Sequence, residues 1–213
     1  MKPTRILFIG NSFTNRNDLP GMLARLAATA RPPHRVETER VIANGQALKS
    51  HWTRGAAPEA IRSSKWQYIV LQEQSTLPLK NPARMHEYVT LFDEAIRHSG
   101  AKTVLYMTWA RRHEWERQAD LAEAYASIGR KLGAIVVPVG LAWERVLTQR
   151  PHLVLHDRDN SHPNFAGSYL AARVFFATLF GRSPIGLETN DTAELGRLGM
   201  DARALQDAAW QTA

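Results

Sequence analysis

Apolar and polar positions follow two rhythms along this chain. Short runs rich in branched and aromatic residues, at positions 5–9, 36–42, 68–71, 103–107 and 134–139, predict five β-strands. Between them the apolar positions fall at helical spacing. Leu19, Met22, Leu23 and Leu26 follow i, i+3, i+4, i+7, and Met85, Tyr88, Val89 and Phe92 repeat the pattern, with Ile96 beyond. The second of these helices is predicted to start after Asn81-Pro82, a capping residue followed by a proline whose missing N–H costs nothing at a first turn. Residues 114–132 predict a further helix stopped by Gly133, and residues 163–180 the last long one. Strands alternating with helices pair in parallel through right-handed crossovers, so the fold class expected is a three-layer α/β/α sandwich on a five-stranded parallel sheet. The tail, 181–213, carries a Ser183-Pro184 turn and a short helical pattern at Ala204, Leu205, Ala208 and Ala209. It is expected to pack against the rest, which makes 1–213 one domain.

With 213 residues, 44% of them hydrophobic, the chain has material for a sizeable core. No run approaches the roughly 18 apolar residues that a membrane-spanning helix needs. The apolar run after Met1-Lys2 is too short for a signal-peptide core and lacks a small-residue cleavage site, so the mature protein is expected to start at or near Met1. The absence of cysteine excludes disulfides, thiolate catalysis and cysteine-ligated zinc, and it fits a reducing compartment. A cytoplasmic location with no membrane partner is the expectation. The formal net charge of +7 raises the question of a polyanionic partner. Basic residues are interleaved with acids, as in Arg111-Arg112-His113-Glu114-Trp115-Glu116-Arg117, and no helix has an uninterrupted basic face. No nucleic-acid partner is expected.

Ligands of open parallel sheets bind beyond the carboxyl ends of the strands. Applied here, that rule brings five segments to one rim: Ser12 after the first strand, Ala43-Asn44-Gly45-Gln46 after the second, Gln72-Glu73-Gln74-Ser75 after the third, Thr108-Trp109-Ala110-Arg111 after the fourth, and His156 to Pro163 beyond the fifth. Ser12 sits in Gly10-Asn11-Ser12-Phe13-Thr14, where a strand turns into a helix whose N–H groups favour developing negative charge. Asp159 and His162 are three residues apart before a proline, so one tight turn can place an orienting carboxylate against an imidazole base. Taken singly, each has a plainer reading: Ser12 as a helix cap, Asp159 or Ser161 as the cap of the last helix, Gly45 as a turn glycine.

Gly10-Asn11-Ser12-Phe13 together with Asp159-Asn160-Ser161-His162-Pro163-Asn164 resembles the SGNH (GDSL-like) hydrolases, with matching spacing over almost the whole chain. The resemblance implies a flavodoxin-like topology and a serine ester hydrolase in which Ser12 is the nucleophile, His162 the general base and Asp159 its orienter. It implies oxyanion donors in the Ser12 N–H and the Gly45 N–H. The usual Gly-Asp-Ser is Gly-Asn-Ser here, and the usual Gly-x-Asn-Asp block is replaced by Gln72-Glu73-Gln74-Ser75. That stretch is closer to the Gln-Gly-Glu-Ser pattern of the sialate O-acetylesterase-like and acetylxylan esterase branch. This match selects Gln72 as the third donor and is preferred; alignment to Gly-x-Asn-Asp selects Gln74. Trp109 and Arg111, at the rim after the fourth strand, are candidates for a substrate wall and a polar acyl contact. No cofactor is implied, and the expected substrate is a small-molecule or carbohydrate ester with a short acyl or O-acetyl group.

Two other readings compete. His152, His156, Asp157, Asp159 and His162 gather metal-ligating side chains within eleven residues, as a metal-dependent hydrolase would require, although no helical His-x-x-x-His is present there. Alternatively, the fold serves as a non-catalytic ligand-binding module.

Overall fold

The computed structural model describes residues 2–213. Five strands, β1 (Thr4–Gly10), β2 (Val36–Ile42), β3 (Tyr68–Leu71), β4 (Lys102–Tyr106) and β5 (Ile135–Val137), form a single all-parallel sheet in the order β2-β1-β3-β4-β5. This is the flavodoxin-like order, and its direction reverses between β1 and β3. In β1, Ile6 and Phe8 are buried on one face of the sheet while Leu7 and Ile9 are buried on the other, as a strand covered on both sides requires. Edge strand β2 instead carries Glu37, Glu39 and Arg40, whose charges discourage further edge pairing.

Against the Ile6 face pack helix α1 (Leu19–Thr29) and, from the distal part of the chain, α4 (Val139–Gln149), α5 (Phe165–Phe180) and α6 (Ala202–Thr212). Against the Leu7 face pack two short helices, Leu48–Thr53 and Ala56–Ser63, followed by α2 (Pro82–Ser99) and α3 (Gln118–Leu132). The α/β/α layering is therefore as expected, and the boundaries differ in instructive ways. Asn81 caps α2 by accepting from the Arg84 N–H, and Gly133 ends α3 with a φ of +65°, both as the pattern implies. Helix α5 begins two residues after Pro163, because the Asn164 side chain caps it by accepting the Gly167 N–H at 3.0 Å. Helix α4 and the two short helices before β3 were not foreseen. The two short helices are too brief for a long apolar stripe, whereas α4 buries Val139, Ala142, Trp143 and Val146 at the same helical spacing as α1. Among the described residues no helix is long and apolar enough to cross a membrane.

Candidate active site

At the end of β1 the chain enters a single helical turn, Ser12–Asn15, and the capping residue is Asn11. Its Oδ1 accepts the Phe13 N–H at 3.1 Å, while its Nδ2 donates to the Gln46 carbonyl at 3.1 Å and so ties the turn to the loop after β2. Beneath the turn lies Gln72, fully buried. Its Oε1 accepts the Asn11 N–H at 2.8 Å and the Thr14 hydroxyl at 3.0 Å, and its Nε2 donates to the Glu73 carbonyl. A Cβ on residue 10 would stand 2.6 Å from Gln72 Oε1 and 2.7 Å from Thr14 Oγ1. Only glycine allows this close approach.

Residues from the far end of the chain meet this turn. Ser12 Oγ lies 2.7 Å from His162 Nε2, and His162 Nδ1 lies 2.5 Å from Asp159 Oδ2. The other Asp159 oxygen accepts the Ser161 N–H at 3.0 Å and the His162 N–H at 2.9 Å. Burial opposes ionisation of Asp159, but the His162 side chain and these two N–H groups outweigh it and lower the carboxyl to about 2. The loop is pinned from below by Trp109, whose Nε1 donates to the Ser161 carbonyl at 3.0 Å, and laterally by the Arg112 N–H on the Asn160 carbonyl, also at 3.0 Å. Phe13 packs its ring 5.1 Å from those of both Trp109 and His162, so the residue after Ser12 helps to seat the imidazole.

The loop after β2 completes the rim. The Gln46 N–H closes a turn on the Ala43 carbonyl at 3.1 Å, with Gly45 at a φ of +70°, a conformation that strains any side-chain-bearing residue. Among the described residues the Gly45 N–H has no hydrogen-bond partner. Ser12, Asn15, Arg16, Asn44, Gly45 and His162 line one shallow, open cleft. Arg16 forms an ion pair with Asp157 at its margin.

Several expectations are placed differently. Gln72 does not line the cleft: it is fully buried, with its oxygen committed under the Ser12 turn and its Nε2 donating to the Glu73 carbonyl. Gln74 is also outside the cleft lining, but its amide is differently engaged. Its Oε1 accepts from the Thr76 N–H and hydroxyl and from the Leu77 N–H at 2.9–3.1 Å, whereas its Nε2 makes no hydrogen bond among the described residues. Trp109 is no substrate wall; it is 1% exposed and stacked 3.6 Å from Trp143. Arg111 leans toward Ser75, with 3.5 Å between the guanidinium and the hydroxyl, and is absent from the cleft lining.

The metal-ligating cluster does not converge. His156 Nε2 is held 3.2 Å from the Ala110 carbonyl, Asp157 pairs with Arg16, and Asp159 with His162. Among the described residues no group of three or more such side chains is arranged to hold a metal ion. Asn15, Arg16 and Asn44 were missed as lining residues, although each adjoins or lies within four positions of a residue that was singled out. Glu73 was missed as well. It is 1% exposed, and burial pushes its carboxyl up to about 7.

No protein-family model matches the chain, and no curated protein matches it in sequence. Solved structures do. A candidate SGNH hydrolase from Slackia heliotrinireducens is 28% identical, with a TM-score of 0.73 over 84% of this chain and 100% of that one. A DUF4886 family protein from Bacteroides uniformis is 19% identical, with a TM-score of 0.71 over 99% of this chain and 94% of that one. An acetylxylan esterase from Geobacillus stearothermophilus is 14% identical, with a TM-score of 0.63 over 82% of this chain and 93% of that one. The sheet order and these likenesses define the class: an α/β hydrolytic enzyme. The shared fold and the 28% identity to the Slackia heliotrinireducens protein support the SGNH (GDSL-like) hydrolase superfamily.

Two outcomes follow from the buried side chains. Gln72→Ala strands the Asn11 N–H and the Thr14 hydroxyl without an acceptor, and should lower unfolding free energy by about 1–3 kcal/mol in denaturant titrations. Glu73 binds its proton more tightly in the folded chain than in the unfolded one, whose carboxyl has the ordinary value of 4.5. Its contribution to stability is therefore fully present below that value and lost as pH rises through about 7. Thermal melts from pH 5 to 8 should show the wild type losing stability relative to Glu73→Gln, which has no proton to lose.

Proposed function

We propose that this chain is a serine ester hydrolase acting on short-acyl esters of polar alcohols, O-acetyl groups on carbohydrates among them. The observation that carries the reading is the unbroken run Ser12 Oγ, His162 Nε2, His162 Nδ1, Asp159 Oδ2, with contacts of 2.7 and 2.5 Å at the mouth of an open cleft. In the first half-reaction Ser12 Oγ attacks the ester carbonyl carbon while His162 Nε2 takes the hydroxyl proton. Asp159 holds the ring with Nδ1 protonated and offsets the imidazolium charge. The tetrahedral oxyanion is met by the Ser12 N–H, the Gly45 N–H and the Gln74 amide. Collapse expels the alcohol, protonated by His162, and leaves an acyl-serine. Water, deprotonated by the same imidazole, then attacks that ester and frees the acid.

Gln74 takes the donor role in place of Gln72 because its Nε2 is uncommitted while its Oε1 is fixed by the Thr76 and Leu77 N–H groups. A side-chain donor anchored at its other end is preorganised, which is what makes such groups effective. The cleft supports the substrate class. Its lining of Ser12, Asn15, Arg16, Asn44, Gly45 and His162 includes no apolar side chain to receive an acyl tail, while three of the six present amide or guanidinium donors to a hydroxylated alcohol. Likeness to the acetylxylan esterase agrees with this choice.

The test is turnover of p-nitrophenyl acetate and of an O-acetylated xylooligosaccharide, with and without EDTA. Chelator-insensitive hydrolysis is expected. Ser12→Ala and His162→Ala should each cost nearly as much as the two together, since they act as one unit. Gln74→Glu keeps the accepting oxygen and deletes the donor, so kcat should fall on the order of 10²–10³-fold. Hydrolysis that survives Ser12→Ala, or that EDTA abolishes, would refute the mechanism.

A further inference from the structure

Glu73 is a buried carboxylate that the reaction above does not use. One of its oxygens, Oε1, accepts two backbone N–H groups: that of Leu48 at 3.0 Å and that of Gln74 at 2.6 Å. The other, Oε2, is buried without a partner among the described residues. Leu48 opens the helix Leu48–Thr53, which directly follows the Ala43–Gln46 turn. Gln74 carries the amide assigned above to the oxyanion. Glu73 thus joins at a single atom the two loops that flank Ser12, one bearing the Gly45 N–H and the other the Gln74 side chain.

We infer that Glu73 is a positioning residue that fixes the Gly45 loop and the Gln74 loop at the separation an oxyanion requires, an inference that rests on the ester hydrolase reading. Two features separate it from ordinary packing. A buried carboxyl with one bare oxygen is costly, and an apolar residue of similar size would fill the same space at lower cost. The retained benefit is the acceptor shared between two loops. Asn11 joins the Gly45 loop to the Ser12 turn and Gln72 joins that turn to the end of β3, whereas Glu73 is the direct tie between the Gly45 loop and the Gln74 loop. The function requires only an acceptor at Oε1. A carboxylate, a carboxylic acid and a primary amide all supply one.

The experiment compares Glu73→Gln with Glu73→Leu on p-nitrophenyl acetate. Glu73→Gln should retain most of the wild-type kcat. Glu73→Leu should lower kcat on the order of 10²-fold, the scale of losing one oxyanion donor, with KM little changed. In a Gln74→Glu background, Glu73→Leu should cost little more than Gln74→Glu alone, because both act on the same donor. Equal impairment of the Gln and Leu variants, additive losses, or a fully active Glu73→Leu would overturn the inference. Amide exchange on the wild type needs no variant: the Leu48 and Gln74 N–H groups should be protected together, and exchange of either at the rate of an open loop would also overturn it. Absence of Ser12-dependent turnover in the wild type would overturn the hydrolase reading and the clip with it. Ser12-dependent turnover alongside an active Glu73→Leu would overturn the clip alone.

Discussion

The side chain of Gln72 sits at the end of β3 with no exposure to solvent, and its oxygen receives the Asn11 N–H and the Thr14 hydroxyl on either side of Ser12. Burying an amide is tolerable only when its polar atoms are satisfied, and here that requirement has one solution: the β1 turn must lie directly over β3. The sheet order makes this possible, since β1 and β3 are neighbours at the point where strand order reverses. The requirement also dictates the glycine at position 10, because any side chain there would occupy the space of the Gln72 oxygen. Where Ser12 stands is thus decided by a hydrogen-bonded amide beneath it.

From that fixed point the remaining groups are brought in by separate devices. The Asp159 carboxylate folds its own loop by capping Ser161 and His162, so the group that orients the imidazole also shapes the turn that carries it. Trp109, locked between Phe13 and Trp143, sets the height of that turn through the Ser161 carbonyl. The β2 loop is tied to the Ser12 turn by Asn11 and to the β3 loop by Glu73. The cleft that these ties frame is open, and its lining offers little apolar surface.

Much of this was legible in the residues. The rhythm of apolar positions predicts all five strands and the long helices, because β1, β3 and α2 bury their apolar positions in regular patterns. The Gly10-Asn11-Ser12 and Asp159-to-His162 blocks could be placed on one rim because strand ends in a parallel sheet share a face. What the sequence could not resolve was which way short polar side chains turn. Gln72 and Gln74 are chemically identical and two residues apart, and only burial tells the amide that braces from the one that is free. Trp109 was misjudged for the same reason: a tryptophan at a strand end is compatible with a wall or with a pillar, and nothing local to it points to the stacking partner Trp143, on α4. Glu73 carries no local signal, since its partners are backbone N–H groups of two different loops.

The central claim is that Ser12, alone among the hydroxyls of this chain, is activated for attack by His162. The most direct measurement is reaction with a fluorophosphonate probe followed by peptide mapping, in the wild type and in His162→Ala. The expected result is a single adduct on Ser12 that forms rapidly in the wild type and is nearly lost in His162→Ala. Labelling of a different residue, or labelling of Ser12 at the same rate without His162, would contradict the account.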